Sequence, residues 1–142
     1  MASRWAGLAA LLALLALAGL GELASAQGDG PDVFANPKNL QVLPKDIDSQ
    51  TLRGMMVGAA QGLGVRCWAC HVGEEGQDLS TFNFASDEKP MKAIAREMMR
   101  MTMQINEKHM PAVAKLQGEA EAERVRCVTC HRGETKPVLD KK

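Results

Sequence analysis

The sequence contains no tyrosine, and phenylalanine and tryptophan together supply only 4% of its 142 residues. Aromatic side chains bury large areas in protein cores, so their scarcity leaves the chain poor in core-forming material. The hydrophobic fraction of 46% overstates the core, because much of it lies in an apolar run at residues 8–20. A stable fold of this chain therefore needs apolar bulk from another source.

The chain also lacks net charge, since 17 basic residues balance 17 acidic ones. Loss of an N-terminal leader that contains Arg4 and Glu22 would preserve the balance. A neutral chain offers no electrostatic basis for binding nucleic acid or an anionic membrane surface. We therefore expect neither of these partners.

No apolar run is as long as a membrane-spanning helix requires. The run that follows Arg4 has about 13 to 16 apolar residues, whereas a helix needs about 20 to cross a bilayer. It is followed by an Ala-Ser-Ala sequence that ends at residue 26, which is a typical cleavage pattern. Residues 1–26 are therefore predicted to be a secretory signal peptide, with a membrane anchor as the less favoured alternative. The expected location is periplasmic or otherwise extracytoplasmic.

The four cysteines occur in two C-x-x-C-H motifs. The first comprises Cys67, Cys70 and His71, and the second comprises Cys127, Cys130 and His131. In this pattern two thiols bond covalently to the vinyl groups of a haem, and the histidine takes one axial position on the iron. A zinc site or a disulfide framework would leave both adjacent histidines unexplained. The motifs predict two haem c groups, which also supply the apolar bulk that the side chains lack.

Histidine is scarce too, and this limits the axial ligands. The motifs use two of the three histidines, so only His109 is left, and both haems cannot have two histidine ligands. Methionine is plentiful, and a methionine ligand raises the reduction potential relative to a second imidazole. Helical spacing places Met55 and Met56 about two turns before the glycine turn that leads into the first motif, without separating them. Met98 and Met101 share an apolar face in the second half; core filling is the alternative role for any one of them.

Apolar periodicity predicts two main helices. The first begins after Asp48 or Ser49, has about 15 residues, and ends at a glycine turn around residues 62–64. The second begins after Ser86 or Asp87, has Pro90 in its first turn, and is expected to end near His109 because Pro111 follows. Residues 73–87 are expected to form a loop, and residues 112–124 a short solvated helix or a loop.

These elements predict an all-α, haem-packed c-type cytochrome with little or no β structure. Two helix-turn-C-x-x-C-H repeats, at residues 45–74 and 86–134, would form one domain at residues 39–142. Residues 27–38 contain glycine and proline and are expected to be a flexible N-terminus. Arg66 and Arg126 precede the two motifs at the same position, where they could pair with haem propionates or remain solvated.

Five segments resemble the cytochrome subunit of photosynthetic reaction centres. They are NLQVLPKD from residue 39, LGVRCWACH from residue 63, FASDEKP from residue 84, AREMMRMT from residue 95 and VRCVTCHRG from residue 125. The resemblance covers residues 39 to about 138. That family has four haems in two dihaem halves, and this chain looks like one half.

The resemblance implies an axial methionine from the helix that precedes each motif. It places Met56 at the first position, with Met55 as the alternative, and Met98 at the second. The stretch between Met98 and Cys127 is longer than in the family. One family haem takes a histidine after the second methionine helix, but His109 does not fall on the matching position, which is Ala112. His109 is therefore either a surface histidine or a ligand in this chain or a neighbouring one.

The expected function is electron transport between redox partner proteins, not enzymatic catalysis. Two irons with histidine and methionine ligands would exchange electrons without binding a substrate. One alternative is a dihaem peroxidase-like enzyme with one open iron. The other is a haem subunit of a larger membrane complex or of a self-assembled cytochrome filament. The sequence identifies neither the donor nor the acceptor.

Overall fold

The computed structural model describes residues 31–137, which form four helices. They are α1 (Ser49–Leu63), α2 (Pro90–Gln104), α3 (Met110–Gln117) and α4 (Cys127–His131). Short 3-10 turns lie at Cys67–Ala69 and Leu79–Thr81. The described residues form no β-strand, only an isolated bridge between Val72 and Asn83. The predicted all-α fold is thus confirmed.

The predicted signal peptide lies outside the described residues, and so does part of the predicted flexible N-terminus. The flexible segment stays a prediction. Among the helices at residues 31–137, none has both the length and the apolar character that crossing a membrane requires.

Helix α1 has the predicted position and length. The Asp48 side chain accepts a hydrogen bond from the Thr51 N–H at 2.8 Å and caps the first turn. At the other end Gly64 has a φ of 66°, a left-handed conformation that glycine adopts without strain. The Val65 N–H then donates to the Ala60 carbonyl at 3.0 Å, which is the Schellman arrangement. This turn leads the chain directly into the first C-x-x-C-H motif.

Helix α2 differs from the prediction at both ends. Pro90 occupies its first turn as predicted, but the residue before it, Lys89, is the N-cap, so the prediction of Ser86 or Asp87 was wrong. The predicted end near His109 was also wrong. The chain continues through a π-turn at Ile105–His109 into α3, which contains Pro111.

The π-turn explains how a proline is tolerated here. In a regular α-helix the Pro111 ring would clash with the carbonyl four residues earlier, and its missing N–H would leave that carbonyl unpaired. In the π-turn the Met110 N–H instead reaches back five residues to the Ile105 carbonyl. The wider turn thus lets the helix pass the proline. Helix α3 then ends at Gly118, whose φ is 74°, so residues 112–124 contain both a short helix and a loop.

The protein core is small, as the composition predicted. The buried apolar side chains of the described residues are those of Leu43, Leu52, Phe82 and Ala114. Along α2 the apolar face that includes Ile94 is largely exposed, at 52% for this residue. Packing of apolar side chains therefore contributes modestly to this fold, and close backbone contacts between elements become important.

One such contact joins the end of α1 to α4. A Cβ atom on Gly62 would lie 2.9 Å from the Cys127 Cβ, and one on Gly64 would lie 2.0 Å from the Gly133 carbonyl oxygen. The Gly133 N–H donates to the Gly62 carbonyl at 2.9 Å. These backbones approach so closely only because glycine has no side chain. The second C-x-x-C-H motif is thereby packed on the helix that leads into the first.

Candidate haem-attachment sites

Each C-x-x-C-H motif folds into a single helical turn. In the first, the Cys67 carbonyl accepts from the Cys70 N–H at 3.2 Å and from the His71 N–H at 2.9 Å. The second motif is helix α4 itself. Positions i and i+3 lie on the same side of such a turn, so each pair of thiols points in a common direction. Two thiols arranged in this way can attach one haem by both of its vinyl groups.

The four cysteines are free thiols. Within residues 31–137 no three His, Cys, Asp or Glu side chains are grouped as ligands of one metal ion. The two C-x-x-C pairs therefore form separate sites and do not combine into a four-cysteine zinc site.

The residue before each motif has nearly the same backbone conformation. Arg66 has φ −111° and ψ 171°, and Arg126 has φ −127° and ψ 169°. Both are extended N-cap residues with exposed side chains. The internal repeat thus extends to the entry of each turn, while pairing of these arginines with haem propionates stays a prediction.

His131 is oriented by a hydrogen bond to the backbone. Its Nδ1 lies 2.9 Å from the Glu134 carbonyl oxygen. A carbonyl only accepts hydrogen bonds, so in the neutral ring Nδ1 is the nitrogen that carries the proton and Nε2 is the one with the lone pair. A backbone partner of this kind orients metal-binding histidines and selects their tautomer. The ring of His131 is thus prepared to bind iron through Nε2.

His71 is held in a different environment. Its ring packs edge-on against Phe84, with 5.0 Å between the ring centroids. Its Nδ1 atom is buried without a hydrogen-bond partner in the described structure. Burial lowers the pKa of His71, and the Lys92 ammonium lowers this pKa further. The ring is therefore neutral near pH 7, which is the form that binds a metal.

The predicted loop at residues 73–87 supports His71. Phe82 is buried against Gly73, where a Cβ would lie 2.5 Å from the Phe82 ring. The Phe82 and Phe84 rings stack with centroids 5.7 Å apart, and the Asn83 N–H donates to the Val72 carbonyl at 2.8 Å. The loop thus places an aromatic ring against the first histidine.

Two lysines that the sequence analysis missed attach the start of α2 to the first motif and to the loop that follows this motif. Lys92 is only 8% exposed, and its Nζ donates to the carbonyls of Phe84 at 2.8 Å and Ser86 at 2.7 Å. The Lys89 Nζ donates to the Trp68 carbonyl, inside the first motif. Cations at a helix N-terminus oppose the helix dipole. The presence of two lysines at the start of α2 is therefore the sequence feature that could have indicated that they bind carbonyl groups of another segment.

Asp87 connects this region to the N-terminal segment. Its carboxylate pairs with Lys92 at 3.1 Å and with Arg96 at 2.9 Å, and accepts from the Gln41 amide at 3.1 Å. Hydrogen bonding by Asn39 is the largest cause that lowers the Asp87 pKa, followed by bonds from Lys92 and Arg96. The ionised carboxylate is therefore the form that the fold favours.

This lowered pKa predicts a loss of stability in acid. Because the folded-state pKa of Asp87 lies below the unfolded value of about 3.9, its contribution is complete above about pH 4 and is lost as the pH falls further. The difference in denaturation midpoint between wild type and Asp87→Asn should therefore shrink below about pH 4. Urea titrations at several pH values measure it. The exposed Asp46, changed to asparagine, is the control, and a pH-independent difference for Asp87→Asn would contradict the prediction.

The candidate axial methionines lie on the helices that precede the motifs. Met55 and Met56 are in α1; Met55 is 39% exposed and Met56 is half-buried. Met98 and Met101 are in α2, with exposures of 41% and 48%. Their thioethers are thus wholly or partly accessible on the helices that precede the motifs. Their ligation of iron stays a prediction.

Helix α1 also has a flat face. Its glycines at positions 54, 58 and 62 recur every four residues and therefore lie along one side of the helix. A Cβ on Gly54 or Gly58 would meet no atom within 4 Å. Gly62 is covered by α4, but at Gly54 and Gly58 a planar porphyrin can approach the backbone closely. Together with the oriented His131 ring, this face shows that the residues present fit a covalently attached haem.

His109 lies at the end of the π-turn and is exposed. Its position on the surface is compatible with either of its predicted roles. A ligand role for His109 stays a prediction.

Comparison with known proteins agrees with this geometry. The family model described as "Photosynthetic reaction centre cytochrome C subunit" matches residues 21–139. A curated relative, Cytochrome c-554 of Chloroflexus aurantiacus, is 34% identical over 98 residues, which are 69% of this chain and 21% of the relative. The chain thus spans about a fifth of the length of this relative. No solved structure matches the chain. The chain belongs to the photosynthetic reaction centre cytochrome C subunit family.

Proposed function

We propose that this protein is an exported dihaem electron carrier in which each iron has one histidine and one methionine ligand. His71 and Met56 would bind the first iron, and His131 and Met98 the second. The observation that carries the proposal is that each C-x-x-C-H motif forms a single helical turn that begins at its first cysteine. In each turn the thiols are free and the histidine is neutral or oriented for metal binding.

The ligands define what the protein does. When bound, haem supplies an iron that accepts and releases one electron. The histidine and methionine side chains would hold the iron, would leave no place for a substrate and would set the potential. The Phe84 ring packs against the His71 ring, and Lys92 holds the Phe84 backbone by a hydrogen bond to its carbonyl, which together would orient the histidine. The protein thus acts by positioning its cofactors.

The contact between α1 and α4 supports transfer between two haems of one chain. Cys127 lies against Gly62, which precedes Cys67 by five residues. From the reach of an extended chain, the Cα atoms of the two cysteines are at most about 24 Å apart. The two attachment sites therefore belong to one compact unit, which favours a dihaem carrier over two independent haem sites.

The partners proposed for this carrier are redox proteins. The polypeptide is formally neutral, and the four propionates of two haems would make the holoprotein acidic. Charge complementarity then favours a donor or acceptor with a basic docking face. Membership of the reaction-centre cytochrome family favours a membrane redox complex as one of these partners. The proposed location, periplasmic or extracytoplasmic, rests on the signal pattern at residues 1–26.

The experiment that tests the proposal combines mass spectrometry with a redox titration of the native holoprotein. We expect a mass that corresponds to residues 27–142 plus two haems, and two one-electron transitions. Both ferric haems should be low-spin and should show the far-red absorption band of methionine ligation. One haem, or a high-spin iron that binds cyanide or peroxide, would overturn the proposal; the latter would favour the peroxidase-like alternative.

A further inference from the structure

Asn106 holds the segment that enters the second attachment turn. Its Nδ2 donates to the Val125 carbonyl at 2.9 Å, and its Oδ1 accepts from the Val125 N–H at 2.7 Å. The two residues are 19 positions apart in sequence, and both hydrogen bonds are partly buried. Val125 precedes Cys127 by two residues. A single side-chain amide thus satisfies both backbone groups at the entrance to the second motif.

The corresponding residue of the first repeat is held by a different contact. Val65 also precedes its cysteine by two residues, and its N–H donates to the Ala60 carbonyl at the end of α1. In the second repeat the helix does not stop before the motif but continues into α3. There the equivalent terminal bond joins the Glu119 N–H to the Ala114 carbonyl at 2.9 Å. The Asn106 side chain therefore fixes the backbone at the entrance to the second motif, as the end of α1 fixes it at the entrance to the first.

The position of Asn106 connects this contact to the axial side chains. It is the second residue of the π-turn at Ile105–His109, directly after α2. Helix α2 carries Met98 and Met101. π-turns are frequently found at functional sites, and here the π-turn presents the Asn106 side chain to Val125. The two hydrogen bonds tie the attachment segment to the helix with the candidate methionines.

We infer that Asn106 is a positioning residue for the second haem. Through the Val125 backbone it sets the distance between the α2 methionine and the iron bound by His131. The inference rests on the proposed histidine and methionine ligation. Loss of both hydrogen bonds should leave the thioether bonds intact, because Cys127 and Cys130 are unchanged, but should weaken the bond between methionine and iron.

The test is to compare Asn106→Ala with the wild-type holoprotein. We expect two haems by mass, one haem with an altered potential, and about tenfold tighter imidazole binding at that haem, because the methionine is displaced more readily. Asn106→Asp keeps the acceptor for the Val125 N–H and loses the donor, so it should have a smaller effect in the same direction. If the Asn106→Ala holoprotein does not accumulate, the potentials and the imidazole affinity of Asn106→Asp are measured in its place. Gln104→Ala, at an exposed position at the end of α2, should behave as wild type.

The altered haem must be the one that a Met56→Ala substitution leaves unchanged. Unchanged imidazole affinity and potentials in folded Asn106→Ala and Asn106→Asp would overturn the inference. An equal change at both haems would also overturn it, since this would indicate a general loss of stability. If instead the proposed ligation is wrong, the wild-type holoprotein itself will lack a second haem or the spectrum of methionine ligation. The two failures are therefore distinguishable.

Discussion

Replacing Gly64 with alanine is expected to lower the free energy of unfolding by about 4 kcal/mol. A side chain at a φ of 66° adopts a strained left-handed conformation, and its Cβ would lie 2.0 Å from the Gly133 carbonyl oxygen. To relieve this clash α4 must move away from α1. That movement breaks the hydrogen bond from the Gly133 N–H to the Gly62 carbonyl. Denaturant unfolding of the holoprotein, followed by circular dichroism, measures the change.

Gly118→Ala is the matched control. Gly118 has a φ of 74° at the end of α3, but a Cβ there would meet no atom within 4 Å. It should therefore show the conformational strain alone, about 1 kcal/mol. The difference between the two variants reports the contact between α1 and α4. Equal destabilisation would show that this contact does not hold the second motif in the native protein.

Met56→Ala is expected to open the axial position of the first iron. If methionine is bound in about 99% of molecules, its removal should raise imidazole affinity at this haem by about 100-fold. The far-red band should fall to half of its wild-type intensity, and the potential of one haem should decrease, because a thioether ligand favours the ferrous state. Absorption spectra with an imidazole titration measure the first effect, and a redox titration measures the second.

Met55→Ala is the control, because Met55 is next to Met56 in α1 but lies on a different face of the helix. If Met56 is the ligand, the spectrum of Met55→Ala should match that of wild type. The reverse result would assign the first iron to Met55. If neither variant changes either haem, α1 does not supply the ligand, and the proposed arrangement of the first site is incorrect.

Local sequence patterns predicted much of this molecule. The cap at Asp48, the apolar spacing in α1 and the glycine at its end all act within about five residues, so they can be identified from the sequence alone. The attachment motifs are local in the same sense, because the spacing of Cys67 and Cys70 places both thiols on one turn. Short-range chemistry of this kind requires no knowledge of tertiary structure.

The features that the sequence analysis missed depend on contacts between distant segments. Pro111 was expected to end a helix, but a π-turn allows the helix to continue past it. The sequence analysis did not single out Lys92, which is buried and donates hydrogen bonds to the loop carbonyls of Phe84 and Ser86. Likewise, nothing in the spacing of Gly62 and Gly64 indicates that they approach Gly133. Each of these cases requires the path of the whole chain.

The hydrogen bonds between Asn106 and Val125 also define how this chain can vary in length. The segment between them, residues 107–124, begins and ends next to the same side chain and therefore forms a loop with fixed ends, which contains α3. Because its ends are fixed together, insertions or deletions in the exposed loop after Gly118 need not displace either attachment turn. Doubling such a loop costs only about 0.6 kcal/mol in closure entropy. The loop after Gly118 is therefore a suitable insertion site for a label or a docking peptide.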